Sequence, residues 1–147
     1  MILTSAEALE AWGFRLAICL RPRDIIALSG ELGAGKTTVA RGILRGLGLA
    51  GEVPSPTFTI VQTYEPPEVK FPVWHVDLYR LDSPDDLIEL GIEEAFETAM
   101  ILVEWPERMG SQLPTQALRI GLDGAGEAER RLTVAYPPDW EGRCLPS

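Results

Sequence analysis

The chain is 147 residues long and 46% hydrophobic, with two cysteines and a formal net charge of −9 at pH 7. That length and apolar content suit a single domain over 1–147 whose core needs no disulfide or structural metal, and no stretch reaches the ~18 uncharged apolar residues of a membrane span, so a cytoplasmic protein making no membrane contact is expected. The acidic balance argues against a surface built to neutralise nucleic-acid phosphates, which rests on clustered Lys and Arg, so any contact with RNA is expected to be indirect.

Thr4 followed by Glu7 reads as a capping box that opens an amphipathic helix to about Cys19, and Glu7, Glu10 and Arg15 within it argue against a signal peptide. Pro22 ends that region. Residues 24–29, DIIALS, form an apolar run of strand length. A Gly-rich segment follows, then a helix from Lys36 with Val39, Ile43, Leu44 and Leu47 at helical spacing. Gly48 to Pro56 reads as a loop, Thr57 to Tyr64 as a strand, and Pro66 with Pro67 as a turn. Lys70 to Asp77 is a further strand. Ser83 and Pro84 read as a cap and a first-turn proline for a helix through about Leu90, which Gly91 breaks before a short second helix. Met100 to Val103 is a buried strand of the central sheet ending at Glu104. Ala117 to Leu122 and Arg131 to Tyr136, joined by DGAGEAE, predict an antiparallel hairpin at the sheet edge, and the tail beyond Pro137 is expected to be loosely held. Cys19 and Cys144 match no metal or redox spacing and read as reduced thiols. The acidic cluster Asp85, Asp86, Glu89, Glu93, Glu94 and Glu97 reads as a solvated helix face, with a docking face for a basic partner as the weaker alternative.

Gly30, Gly35, Lys36 and Thr37 fill every fixed position of GxxxxGK(S/T), with the required strand before and helix after. The expected fold is therefore α/β: a three-layer P-loop NTPase-like domain, its mixed sheet flanked by helices and ending in the antiparallel hairpin. Glycines let the backbone N–H groups of Glu31, Leu32, Gly33, Ala34, Gly35, Lys36, Thr37 and Thr38 turn inward around phosphates, and the helix N-terminus adds partial positive charge. In this reading ATP or ADP is the ligand. Lys36 meets the β- and γ-phosphates, Thr37 offers its hydroxyl to Mg²⁺, and Thr38 reaches the α-phosphate.

Two strand-terminal acids, Asp77 and Glu104, compete for the metal, and pattern alone does not separate them. By residue type Asp77 is assigned to the metal and Glu104 to the attacking water, with Thr37, Asp77 and Glu104 together forming the candidate metal set. Thr57 either acts as a switch threonine or is an ordinary strand residue. His75, the one histidine, should face the same side of its strand as Asp77. It reads as a packed, hydrogen-bonded residue, with a role near the site as the weaker alternative. Trp105 either shields the site or touches a base, or is a core tryptophan. Guanine selection of the NKxD type is excluded, since the chain contains no Asn. A small-molecule kinase is the rival reading, but the Arg-rich lid of such enzymes is missing; Arg80 and Arg108 are isolated.

Four segments, GELGAGKTT at 30–38, PSPTF at 54–58, HVDLYRL at 75–81 and VEWPER at 103–108, together and in this order resemble the TsaE (YjeE) family, and the resemblance runs from about Ser5 to Tyr136. It implies a bacterial ATPase required for the threonylcarbamoyladenosine modification next to the tRNA anticodon. It also implies two protein partners, TsaD and TsaB, which carry out the transfer while the family member hydrolyses ATP to support repeated turnover. Carried onto this chain, the resemblance makes Lys36 and Thr37 the phosphate and Mg²⁺ residues, Thr57 the switch threonine, Asp77 the Walker B acid, and Glu104 with Trp105 the catalytic pair. Without an arginine finger, hydrolysis by the chain alone is expected to be weak and partner-stimulated. Arg80 acting in cis is the weaker alternative to a solvent-facing arginine.

Overall fold

The apolar runs 24–29 and 100–103 become the centre of one seven-stranded sheet. In chain order the strands are β1 (Ile2–Leu3), β2 (Ile25–Gly30), β3 (Val61–Tyr64), β4 (Val73–Asp77), β5 (Met100–Glu104), β6 (Leu118–Asp123) and β7 (Arg130–Ala135). The helices are α1 (Ala6–Ala17), α2 (Lys36–Gly46), α3 (Asp86–Leu90) and α4 (Ile92–Ala95). The computed structural model describes every residue except 32, 52, 54–60, 84, 125–128, 144 and 147. Across the sheet the order is β1-β7-β6-β2-β5-β4-β3. β4, β5, β2 and β6 run parallel, and β3, β7 and β1 pair antiparallel at the two flanks. The fold is thus the expected mixed α/β sheet with helices on both faces.

Burial on both faces explains why β2 and β5 read as unbroken apolar runs rather than alternating ones. Ile26, Leu28, Met100 and Leu102 pack under α1 and α2 with Val39, Ile43 and Leu44. The intervening residues Ile25, Ala27, Ile101 and Val103 join Leu87, Ile92 and Ala95 of α3 and α4 on the other side. Each such side chain contributes about 1.5–3 kcal/mol on burial. α1 and α2 touch through small residues: a Cβ added at Gly42 would overlap the backbone oxygen of Glu10, so only glycine permits this approach. The parallel strands β2, β4 and β5 therefore end together, with Leu28 opposite Glu104 and Asp77 opposite Glu104. Carboxyl ends of parallel strands are where α/β sheets place ligands.

Local departures from the sequence reading have identifiable causes. The cap of α1 is Ser5 and not Thr4: Ser5 is extended, its side chain accepts from the Ala8 N–H at 3.0 Å, and its carbonyl takes the Leu9 N–H at 3.1 Å. This shifts Glu7 out of the capping-box position. α3 begins at Asp86, not directly after Ser83, whose N–H is instead held by the Asp86 side chain at 3.3 Å; Pro84 lies outside the described residues. Gly91 does end α3, in the left-handed region at φ 74°. The hairpin β6–β7 forms as expected but is not the edge, because Ile2–Leu3 pairs outside β7, and a two-residue strand is too short for periodicity to announce. Beyond Pro137, the described residues Trp140 and Arg143 are anchored to the domain. Trp140 is buried with its Nε1–H on the Gln116 carbonyl at 2.8 Å, and Arg143 pairs with Asp24 at 2.6 Å while stacking on the Trp140 ring. The expected strand 57–64 is described from Val61 onward. Among the described residues, no helix is long and apolar enough to cross a membrane.

Candidate phosphate and metal site

The loop that leaves β2 turns on glycines with backbone angles that other residues resist. Gly33 and Gly35 lie at φ 81° and 106°, and a Cβ on Gly35 would stand 2.8 Å from Leu9 Cδ1. Gly35 is the N-cap of α2 with no side-chain cap, and Val39 N–H closes the first helical bond on its carbonyl. The N–H groups of Lys36, Thr37 and Thr38 are thus left to point out of the helix start, where the dipole is positive.

Lys36 is buried, and its Nζ donates to the carbonyls of Gly30 at 2.6 Å and Glu31 at 2.9 Å. The Trp105 ring lies over it, with its centroid 4.3 Å from Nζ. Burial holds this ammonium below the usual lysine range, while Glu104, Asp77 and Glu107 pull it back up. Thr37 Oγ1 donates to Glu104, 3.1 Å from Oε1 and 3.2 Å from Oε2. Glu104 is 3% exposed and also meets His75 Nε2 at 2.6 Å. Asp77 lies one strand over. Its Oδ1 accepts the Tyr79 N–H at 2.9 Å, and burial pushes its carboxyl above the usual range; the Tyr79 bond opposes that rise and nearby Glu104 reinforces it.

Gly33, Lys36, Thr37, Asp77, Glu104 and Trp105 line one cleft of about 220 Å³ together with Tyr79 and Arg80. The structure thus gathers Lys36 and Thr37, Asp77, and Glu104 and Trp105 from three separate stretches of the chain. Leu32 and Thr57 lie outside the described residues. His75 is fully buried, on the side of β4 that faces Glu104 and Thr37, as strand alternation from Asp77 predicts. Trp105 sits in the left-handed region at φ 61°, and its ring contacts the Tyr79 ring at a centroid distance of 4.9 Å. Such a backbone angle is uncommon for a bulky residue, and here it turns the indole back over Lys36.

Sequence reasoning missed two features. Arg130 of β7 reaches the loop, donating from Nε to the Ala34 carbonyl at 3.1 Å and from Nη2 to that of Gly33 at 3.4 Å. No local signal marked it, because the contact spans 96 residues. A second cavity of about 420 Å³ lies beside it, bounded by Thr4, Ser5, Ala6, Leu9, Gly33, Gly35, Thr38 and Arg130. Tyr79, by contrast, was within reach of a local argument: an Asp accepting the N–H two residues on is a common turn.

Hard oxygen donors from one hydroxyl and two carboxylates next to a phosphate cradle suit Mg²⁺. Comparison with known proteins places the chain in a family. The sequence profile of the family described as "Threonylcarbamoyl adenosine biosynthesis protein TsaE" matches residues 3–132. The proteins named tRNA threonylcarbamoyladenosine biosynthesis protein TsaE from Rickettsia bellii and Synechocystis sp. are 40% and 44% identical to this chain, over 82% and 78% of it and 83% and 73% of their own lengths. The crystal structure of Bacillus subtilis YdiB superposes with a TM-score of 0.80 at 34% identity, covering 96% of this chain and 87% of that one.

Proposed function

This chain belongs to the TsaE family, and from that membership and the site geometry we propose that it binds Mg-ATP at residues 30–38 and hydrolyses it in support of threonylcarbamoyladenosine formation in tRNA. The observation that carries the reading is the bond from Thr37 to Glu104. It joins the first turn of the helix after the phosphate loop to the acid at the end of the neighbouring strand, beside a buried lysine.

In this reading Lys36 leaves the Gly30 and Glu31 carbonyls for the phosphates, and the N–H groups at the start of α2 hold phosphate oxygens. Mg²⁺ arriving with the nucleotide would neutralise charge on the β- and γ-phosphate oxygens. Thr37 would hold that metal through its hydroxyl oxygen while donating its proton to Glu104. Glu104 would thus serve the metal through Thr37 and orient the attacking water, and Asp77 completes the acidic wall of the cleft. Trp105 covers Lys36 and limits water at the site. The nucleoside extends past Thr38 into the cavity bounded by the start of α1 and Arg130. Thr57 enters as the switch threonine on the family resemblance.

Arg80 borders the cleft but is exposed, so hydrolysis by the chain alone is slow, and docking onto a TsaD and TsaB pair accelerates it. The tRNA is reached only through those partners. The test is phosphate release from Mg-ATP by the chain and its Lys36→Ala variant, each alone and with the purified pair. Slow release that rises with the pair and disappears in the variant is the expected result. Release indifferent to Lys36 would reject the site.

A further inference from the structure

A glutamate side chain has several rotatable bonds, so a buried one is oriented only as well as its donors fix it. Glu104 receives Thr37 almost evenly on both oxygens, at 3.1 and 3.2 Å, a contact that barely distinguishes one carboxylate oxygen from the other. The second donor removes that ambiguity. His75 Nε2 is 2.6 Å from Oε2, and the imidazole is fully buried; the contact is at least as short as charge-assisted N–H···O bonds, which run to about 2.7 Å.

His75 stands between Val73 and Asp77 on β4, opposite Leu102 of β5, and Glu104 lies two residues beyond Leu102. With the carboxylate as acceptor, Nε2 carries the ring proton. Among the described residues, the buried Nδ1 meets no hydrogen-bond partner, and the ring's polar contact there is the one to Glu104. An apolar residue would fill this place without burying a bare nitrogen, as Val73 does one row earlier. The imidazole thus carries a cost in the core that its bond to Glu104 accounts for.

We propose that His75 is a positioning residue for ATP hydrolysis: by taking Oε2, it locks the Glu104 carboxylate into one orientation and leaves Oε1, which also receives the Thr37 hydroxyl, to accept a bond from the attacking water. The inference rests on the ATPase reading above. It assigns His75 an effect on turnover rather than on nucleotide capture, which belongs to the loop and Lys36.

Two substitutions separate this role from simple packing. His75→Leu fills the space without a donor, and His75→Gln places an amide N–H near the position of Nε2. His75→Leu is expected to lower kcat about 10–100-fold, the range for partners that orient active-site ligands, with Mg-ADP affinity unchanged within about threefold. His75→Gln is expected to recover most of kcat. Wild-type kcat in His75→Leu, or equal losses in both variants, would overturn the proposal. Because this is the chain's one histidine, a long-range ¹H–¹⁵N correlation spectrum of the unmutated protein also reads the bond without requiring either variant to fold. An Nε2-protonated ring whose signals move in Glu104→Gln is expected; an Nδ1-protonated ring, or one indifferent to Glu104→Gln, would reject the pairing. If the wild type shows no Lys36-dependent hydrolysis, the ATPase reading fails, while the spectrum still decides whether His75 holds Glu104.

Discussion

The two faces of the sheet use the same strands for opposite ends. On the α3 and α4 side, Val76, Ile101 and Val103 continue the apolar core up to the last strand residues. On the α1 and α2 side the rows begin as Val73 and Met100 but finish as His75, Asp77 and Glu104, against Lys36 and Thr37 of α2. One face stays apolar to the strand ends. The other carries polar and charged groups into partial or full burial, which disfavours the charged forms of Lys36 and Asp77, and functional sites are where such costs concentrate. The contrast also implies that stability and turnover should be separable by substitution.

The sharpest break should come from the polar face. Lys36→Ala is expected to reduce phosphate release to background. Glu104→Ala should lower it by at least about 10²-fold while nucleotide titration still shows binding, since a group acting in the transition state affects kcat before affinity. If Glu104→Ala turned over normally, Glu104 would not be the group that orients the attacking water.

The complementary break lies on the other face. Ile101 is fully buried, so Ile101→Ala should cost about 2–4 kcal/mol in urea unfolding, with kcat per folded molecule unchanged. A parallel loss of kcat would show that the two faces are coupled. A smaller effect is expected at Trp105, whose stacking on Lys36 is worth about 1–2 kcal/mol when desolvated. Trp105→Ala should therefore lower kcat/KM about tenfold in phosphate-release assays, and Trp105→Phe should retain most of it.

The smallest effect sharpens the stability argument. Burial raises the Asp77 carboxyl above its ordinary value, so the fold favours the protonated form. Its contribution is complete below the unfolded value of about 3.9 and is lost as pH rises through the higher folded value. Asp77→Asn should consequently show a small rise in Tm at pH 7, reduced by partial solvent screening and closing as the buffer is taken down to the ordinary carboxylate range. Its hydrolysis should fall at the same time. A Tm gap that widened in acid would contradict the sign.

Much of the site was legible because its chemistry is local. The phosphate loop is contiguous, and its four fixed residues with a strand before and a helix after leave little freedom of interpretation. Strand alternation placed His75 on the side of Asp77. It did not identify the partner, because Glu104 belongs to a different strand and only the register of β4 against β5 brings the two together. The same limit applies to Arg130 on the loop carbonyls and to the tail. Trp140 and Arg143 find Gln116 and Asp24 across 24 and 119 residues, and no window of sequence contains both partners.

By itself, then, the sequence determined the ligand class and the chemical identity of the groups, since glycines, a lysine and a threonine at fixed spacing dictate how a short loop and a helix start meet an anion. What only the tertiary structure decided was which acid sits on Thr37, which side chain bonds that acid, and which residues border the cavity beside the loop. Those outcomes follow from strand order and register, in which a step of one strand or two residues exchanges Asp77 for Glu104 or an apolar neighbour for His75, and they are set by packing across the whole sheet rather than by any local preference.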